Sequence, residues 1–138
     1  LIDDPSRIAD AVEETLRFDG STQMIGRTVT KDIEIRGQKI AAGARVGLCI
    51  ISASRDEERY ENADIYDVTR GARDHMAFGA GIHSCLGAAL ARLEVRVCFE
   101  ELLKVMPDYE LDMSRSDRTH NPNVRGFTTL PMRFTPSR

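Results

Sequence analysis

The segment from about Leu86 to Met106 makes the heaviest demand on any fold this chain can adopt. Leu86, Leu90, Leu93 and Val97 recur at helical spacing along one stripe, and Val95, Cys98, Phe99 and Leu102 form a second. Arg92, Arg96 and Glu100 mark a charged face, and Pro107 ends the run. A helix striped twice has to be covered on two sides, which is more than a helix lying on a surface needs.

Directly ahead of it, Phe78-Gly79-Ala80-Gly81-Ile82-His83-Ser84-Cys85-Leu86-Gly87 presents a cysteine on a glycine-rich loop. Glycines let the backbone approach a flat ligand where a Cβ would collide. A sulfur at the start of a helix is favoured as an anion by the helix dipole. The arrangement suits a thiolate exposed to a metal. A zinc role for His83 with Cys85 would need further ligands, and His75 and His120 do not supply a set. His75 reads as structural. Cys49, in Val46-Gly47-Leu48-Cys49-Ile50-Ile51, and Cys98 both read as small buried hydrophobes. Three cysteines with no C-x-x-C spacing argue against a disulfide scaffold and fit a reducing cytoplasm.

Upstream, Ile8, Val12 and Leu16 at i, i+4 spacing predict a helix over about 8–18, started near Asp4-Pro5 and stopped at Asp19-Gly20-Ser21. Residues 22–51 read as a small β-sheet. Arg27-Thr28-Val29-Thr30 is β-prone, Ile33-Glu34-Ile35 alternates, Arg36-Gly37-Gln38 and Ala42-Gly43 are turns, and a strand runs from Arg45 to Ile51. Residues 52–75 form a long polar loop, which needs a functional or packing reason. The tail from Tyr109 reads as short strands, with turns at Asn121-Pro122-Asn123 and Arg125-Gly126.

Charge narrows the function classes. The formal net charge is -3, from 19 basic and 22 acidic side chains in 138 residues, which is too balanced for a nucleic-acid binder. No apolar run approaches the ~18 residues of a membrane helix, so neither nucleic acid nor membrane is an expected partner.

The spacing F-x-x-G-x-x-x-C-x-G, from Phe78 to Gly87, resembles the haem-ligand loop of the cytochrome P-450 family. Glu14-Thr15-Leu16-Arg17 resembles the E-x-x-R of that family's K helix, and it lies the expected way upstream. Ser54-Arg55-Asp56 and Asp67-Val68-Thr69-Arg70 match the bacterial pattern. The likeness runs from Asp4-Pro5-Ser6 to Leu130-Pro131. It departs at Ala63-Asp64-Ile65-Tyr66, where isoleucine stands in place of the meander arginine, so a three-membered Glu–Arg–Arg network is not assumed.

The resemblance implies an α+β piece of the mainly-α P-450 fold. Its expected parts are an N-terminal helix, a small sheet, a meander loop, the cysteine loop, a long helix and a terminal β-hairpin. Residues 1–138 would form the C-terminal haem-binding part of one domain, with the family's N-terminal portion and its long distal helix outside the chain. The implied cofactor is haem b with Cys85 as its axial thiolate, tuned by backbone N–H groups around the sulfur. Arg27 and His83 would bind propionates, and Ala77, Phe78, Gly79, Leu86, Gly87 and Ala91 would complete the cofactor contacts. Glu14 and Arg17 would form a buried structural pair. Two segments would face substrate: Ser21-Thr22-Gln23-Met24-Ile25, through Met24 and Ile25, and Gly126-Phe127-Thr128-Thr129, through Phe127 and Thr128.

The implied activity is insertion of one oxygen atom of O2 into a small organic substrate. Electrons would come from a ferredoxin- or flavoprotein-type donor steered by Arg70, Arg73 and Arg92. The isolated chain is expected to be inactive. A non-catalytic remnant or interaction domain that keeps the ligand motif is the rival expectation.

Overall fold

The computed structural model describes residues 1–136. A 3₁₀ turn at Pro5–Arg7 leads into helix α1, Ile8–Asp19. The Asp4 carboxylate caps the turn by accepting the Ser6 N–H at 3.2 Å, and Pro5 needs no amide partner there. The helix stops because the chain turns back tightly at Gly20. A Cβ on that residue would lie 2.5 Å from the Leu16 carbonyl oxygen.

The predicted single sheet is in fact two separate antiparallel ribbons. Strand β1, Met24–Thr28, pairs with β4, Arg45–Cys49, placing Gly26 opposite Gly47. Between them, β2, Ile33–Ile35, and β3, Gln38–Ile40, form a hairpin. Its turn is Arg36-Gly37, both at positive φ (47° and 78°), and Gln38 already belongs to the second strand. The strand expected to run through Ile51 ends at Cys49, where the short helix α2, Ile50–Ala53, begins. Ile50 there is buried, and the α2 backbone packs toward α1 and β1.

Residues 54–75 contain no strand or α-helix, as expected of the polar loop. The 3₁₀ turns Met76–Phe78 and Gly81–His83 carry the cysteine loop, and helix α3 then runs over Ala88–Val105. The tail nests two antiparallel pairs. Strand β5, Tyr109–Leu111, pairs with β8, Met132–Phe134; inside them β6, Asp117–Arg118, pairs with β7, Phe127–Thr129. The Asn121 side-chain oxygen closes the intervening turn by accepting the N–H groups of Asn123 and Val124.

The interior is unusually polar. Ile8, Ala11 and Val12 of α1 are buried with Val29, Ile50, Tyr60, Ala63 and Ala72. Glu13, Glu14, Arg17, Ser54 and His75 are buried among them, and Arg17 is completely inaccessible. By contrast no residue of α3 is buried. Leu90 is 58% exposed and Leu93 49%, so the two-sided burial predicted for this helix is absent among the described residues. Cys49 and Cys98 are exposed too, against expectation. Cys49 ends a two-stranded ribbon, and Cys98 lies on α3, of which no residue is buried. The accessible surface is 10134 Å², whereas a compact protein of this mass would expose about 7,200 Å².

Candidate haem-thiolate site

The cysteine loop is shaped by backbone hydrogen bonds. The Cys85 N–H donates to the Phe78 carbonyl at 2.8 Å, drawing residues 78–85 into a closed loop. Within it the Gly79 N–H donates to Met76 O at 2.8 Å and the Ser84 N–H to Gly81 O at 3.1 Å. Gly79 and Gly81 have φ of 70° and 63°, in the region that side chains disfavour. A Cβ at Gly79 would also press to 3.3 Å from the His83 carbonyl oxygen. The loop therefore needs its glycines to close, and closure leaves Cys85 exposed at its end.

Helix α3 begins at Ala88, three residues past the cysteine, so the sulfur stands beyond the first helical turn rather than inside it. The Ala88 N–H donates to Cys85 O at 3.2 Å and the Ala91 N–H to Gly87 O at 2.9 Å. Among the described residues no N–H donates to Cys85 Sγ. Of the loop's amides, those of Gly79, Ser84 and Cys85 donate to carbonyls. A Cβ on Gly87 would sit 3.9 Å from that sulfur, in ordinary contact. Ile82 and Leu86 flank it at 98% and 101% exposure, a rim of apolar side chains with nothing over them.

The other expected cofactor contacts fall in three places. Ala77, Phe78, Gly79 and Ala91 are half-buried around the base of the loop. His83 is exposed at the end of its 3₁₀ turn. Arg27 is exposed on β1, its guanidinium donating to Gly26 O at 2.9 Å, and no hydrogen bond joins it to His83 among the described residues. The first of the two segments expected to face substrate pairs with residues 123–125, just ahead of the second. Gln23 N donates to Asn123 O at 2.8 Å and Arg125 N to Ser21 O at 2.7 Å. Met24 approaches Gly47 across β1–β4, and Ile25 is half-buried beside it in sequence. Phe127 lies under the Arg118 guanidinium at 3.9 Å, and the Thr128 hydroxyl donates to the Asp117 carboxylate at 2.9 Å.

The donor set fits a haem. Among the described residues no three His, Cys, Asp or Glu side chains gather as a metal cage, so a metal at Cys85 needs its remaining donors from a non-protein group. A flat macrocycle is such a group, and the exposed sulfur between Ile82 and Leu86 suits an apolar face.

Behind the loop, Glu14 and Arg17 build a buried ionic centre. All five Arg17 N–H groups are used. Nε and Nη2 donate to the two Glu14 carboxylate oxygens at 2.7 and 2.8 Å, and the rest reach the carbonyls of Ala63, Ser54 and Ile65 at 2.9, 3.2 and 3.2 Å. Loop carbonyls in the interior have no strand partner, and this guanidinium satisfies them. Burial pushes the Glu14 carboxyl up, but the Arg17 hydrogen bonds and the Asp67 N–H outweigh it and hold the group below its ordinary value.

A third member, a second arginine, is present after all. Arg70 Nε approaches Glu14 Oε1 at 3.4 Å, while its other nitrogens donate to the carbonyls of Glu61, Asn62 and Ile65. It comes from five residues beyond Ile65, in a loop without periodicity, so spacing gave no sign of it. Arg70 is therefore spent inside the fold rather than steering a partner. Arg92 is likewise engaged, with Nε and Nη2 on the Glu13 carboxylate at 2.6 and 3.0 Å. Of the three arginines expected at a docking face, only Arg73 is well exposed, at 68%, and it pairs with Asp10 at 3.2 Å. His75 is buried, in keeping with a structural reading.

Known proteins share this arrangement. The family described as cytochrome P450 matches residues 8–136. Cytochrome P450 130 of Mycobacterium tuberculosis is 45% identical over 136 residues, which is 98% of this chain and 34% of that protein. The methyl-branched lipid omega-hydroxylase of Mycobacterium bovis is 41% identical over 91% of this chain and 29% of its own length. Among solved structures, cytochrome P450 CYP109Q5 from Chondromyces apiculatus superposes with a TM-score of 0.93 at 37% identity, covering 99% of this chain and 35% of that one. P450BioI, solved with an acyl carrier protein bearing hexadec-9Z-enoic acid, gives 0.92 at 38% identity, with 98% and 35% coverage. The chain thus spans about a third of the length of these relatives. No helix among the described residues is long and apolar enough to cross a membrane. This chain belongs to the cytochrome P450 family.

Proposed function

We propose that residues 1–138 are the C-terminal, haem-binding portion of a haem-thiolate monooxygenase, with Cys85 as the axial ligand. The observation that carries this reading is the closed Phe78–Cys85 loop, which exposes one sulfur where the described residues gather no group of three metal-ligating side chains. Haem bound there supplies an iron that the thiolate makes electron-rich, which favours O–O cleavage. This chain's residues hold it: Cys85 through sulfur, Phe78 and Ala91 by packing at the base of the loop, and His83 and Arg27 through donors to the propionates. Electrons come from a ferredoxin- or flavoprotein-type donor, and one O2 atom enters an organic substrate while the other leaves as water.

The isolated chain does not complete this chemistry. Its surface exceeds that of a compact protein of its mass by roughly 2,900 Å², and the excess includes the Leu86–Leu90–Leu93–Val97 stripe. That stripe belongs against the rest of a P450 domain. Relatives sharing this segment are named for lipid omega-hydroxylation and for biotin biosynthesis. The segment accordingly specifies the cofactor half of the reaction, not a substrate.

The test is isotopic. Turnover of the complete haem-loaded protein under ¹⁸O2 with a donor system should place one labelled oxygen in the product, and Cys85→Ser should abolish it. Label-free product would contradict the reading, as would activity that survives Cys85→Ser or turnover by the 138-residue chain alone.

A further inference from the structure

Glu13, His75 and Arg92 form a second buried cluster, separate from the Glu14–Arg17–Arg70 centre and unused in the haem reading above. Each comes from a different element: Glu13 from α1, Arg92 from α3, and His75 from the end of the meander. His75 caps the 3₁₀ turn Met76–Phe78, its Nδ1 accepting the Ala77 N–H at 3.2 Å. An accepting Nδ1 leaves the proton of a neutral imidazole on Nε2, which then donates to Glu13 Oε2 at 3.0 Å. Burial holds the imidazole below its ordinary pKa despite the carboxylate, which agrees with that neutral form. Glu13 also accepts two hydrogen bonds from Arg92, a fork-to-carboxylate pairing that fixes the guanidinium plane.

That plane lies 4.7 Å from the centroid of the Phe78 ring, and the His75 ring stands 6.3 Å from it. Met76 is tied independently, its N–H donating to the buried Ser54 hydroxyl at 3.1 Å. The turn that precedes the cysteine loop is therefore fixed at Met76, Ala77 and Phe78 in succession. The Phe78 carbonyl in turn accepts the Cys85 N–H, the bond that closes the loop.

We propose that Glu13, His75 and Arg92 are positioning residues for Cys85, clamping Phe78 between α1 and α3 so that its carbonyl holds the ligand sulfur in register with the cofactor. This rests on Cys85 being the axial ligand. None of the three touches the sulfur, and their effect passes through Ala77 and the Phe78 ring.

The two halves of the His75 contact can be removed separately. Asparagine carries an acceptor near the place of Nδ1, so His75→Asn keeps the cap on Ala77 and loses Glu13. Glutamine carries a donor near the place of Nε2, so His75→Gln does the reverse. His75→Phe removes both, and Arg92→Lys keeps the charge but loses the planar fork over Phe78.

The measurement is the ferrous–CO spectrum of the complete haem-loaded protein, read as the ratio of thiolate-type to non-thiolate absorbance at equal haem content and well below the melting temperature. A merely structural role would lower the melting temperature and leave that ratio alone. His75→Phe is expected to lower the ratio about tenfold, and Asn, Gln and Arg92→Lys each about three- to fivefold, the size of one or two hydrogen bonds. Wild-type ratios in Asn, Gln and Arg92→Lys would overturn the proposal, including where His75→Phe fails to fold. A wild-type protein without the thiolate band would overturn the Cys85 assignment itself, which separates the two failures.

Discussion

Helices α1 and α3 are built from the same kind of apolar stripe and end in opposite situations. In α1, Ile8 is 3% and Val12 6% exposed; in α3, Leu90 is 58% and Val97 42% exposed. The difference lies in what each helix is given to pack against. The meander wraps α1, and its carbonyls converge on Arg17 and Arg70. Only one side of α3 meets α1, across an apolar groove of about 460 Å³ lined by Val12, Leu16, Phe78, Ala91, Val95 and Phe99. The cysteine loop sits at the junction, anchored to the well-packed helix behind and leading into the uncovered one ahead. This chain thus holds its ligand loop by an ionic framework rather than by an apolar core.

The comparison breaks most easily at the ionic framework. Arg17→Ala leaves buried Glu14 with only the Asp67 N–H and the longer Arg70 contact, and strands the Ser54 and Ala63 carbonyls. A loss of about 3–5 kcal/mol is expected in denaturant unfolding; a loss below about 1 kcal/mol would show that the framework is not what holds the meander. Next in size is the apolar contrast. Ile8→Ala should cost about 2–5 kcal/mol, whereas Leu86→Ala, at a fully exposed site, should stay within about 0.5 kcal/mol. Equal effects would erase the distinction between the two helices.

Acid sharpens the same contrast. His75 lies below its ordinary value of 6.5, and Glu13 and Glu14 lie below 4.5. For each, the unfolded chain binds protons that the folded one refuses, so stability is fully present above the unfolded value and falls with pH beneath it. Stability should therefore decline first below about pH 6.5, from His75, and again below about pH 4.5, from the two carboxylates. His75→Gln should remove the first step and leave the second. A flat profile from pH 7 to 5 in the wild type would contradict the buried neutral imidazole.

The smallest effect expected is at the surface. Arg73→Glu should slow electron transfer from an acidic donor at low salt, with the difference shrinking as salt screens it. Unchanged rates at low salt would place the docking surface elsewhere.

Much of this was legible in the sequence because it was periodic or local. The stripe Ile8–Val12–Leu16 gave α1, the hairpin turn read at Arg36-Gly37-Gln38 gave β2 and β3 to within a residue, and the glycine spacing gave the cysteine loop. The pairing of Glu14 with Arg17 followed from their separation by three on one helix. What escaped was long-range and aperiodic. Arg70 reaches Glu14 across 56 residues and Arg92 reaches Glu13 across 79, and nothing in local spacing joins such positions. The two-sided burial read for α3 is not seen among the described residues. A sequence pattern reports what a helix needs, and the described residues supply cover on only one side. Cys49 and Cys98 were misread for the same reason, since an apolar neighbourhood in sequence need not have a second layer in space.

The central claim is that one of three cysteines, Cys85, is the ligand, and that the loop closed on the Phe78 carbonyl is what presents it. Its most direct test compares the ferrous–CO spectra of Cys49→Ser, Cys85→Ser and Cys98→Ser in the complete haem-loaded protein. Only Cys85→Ser should lose the thiolate-type band, with the other two indistinguishable from wild type. Retention of that band in Cys85→Ser, or its loss in either of the others, would contradict the account.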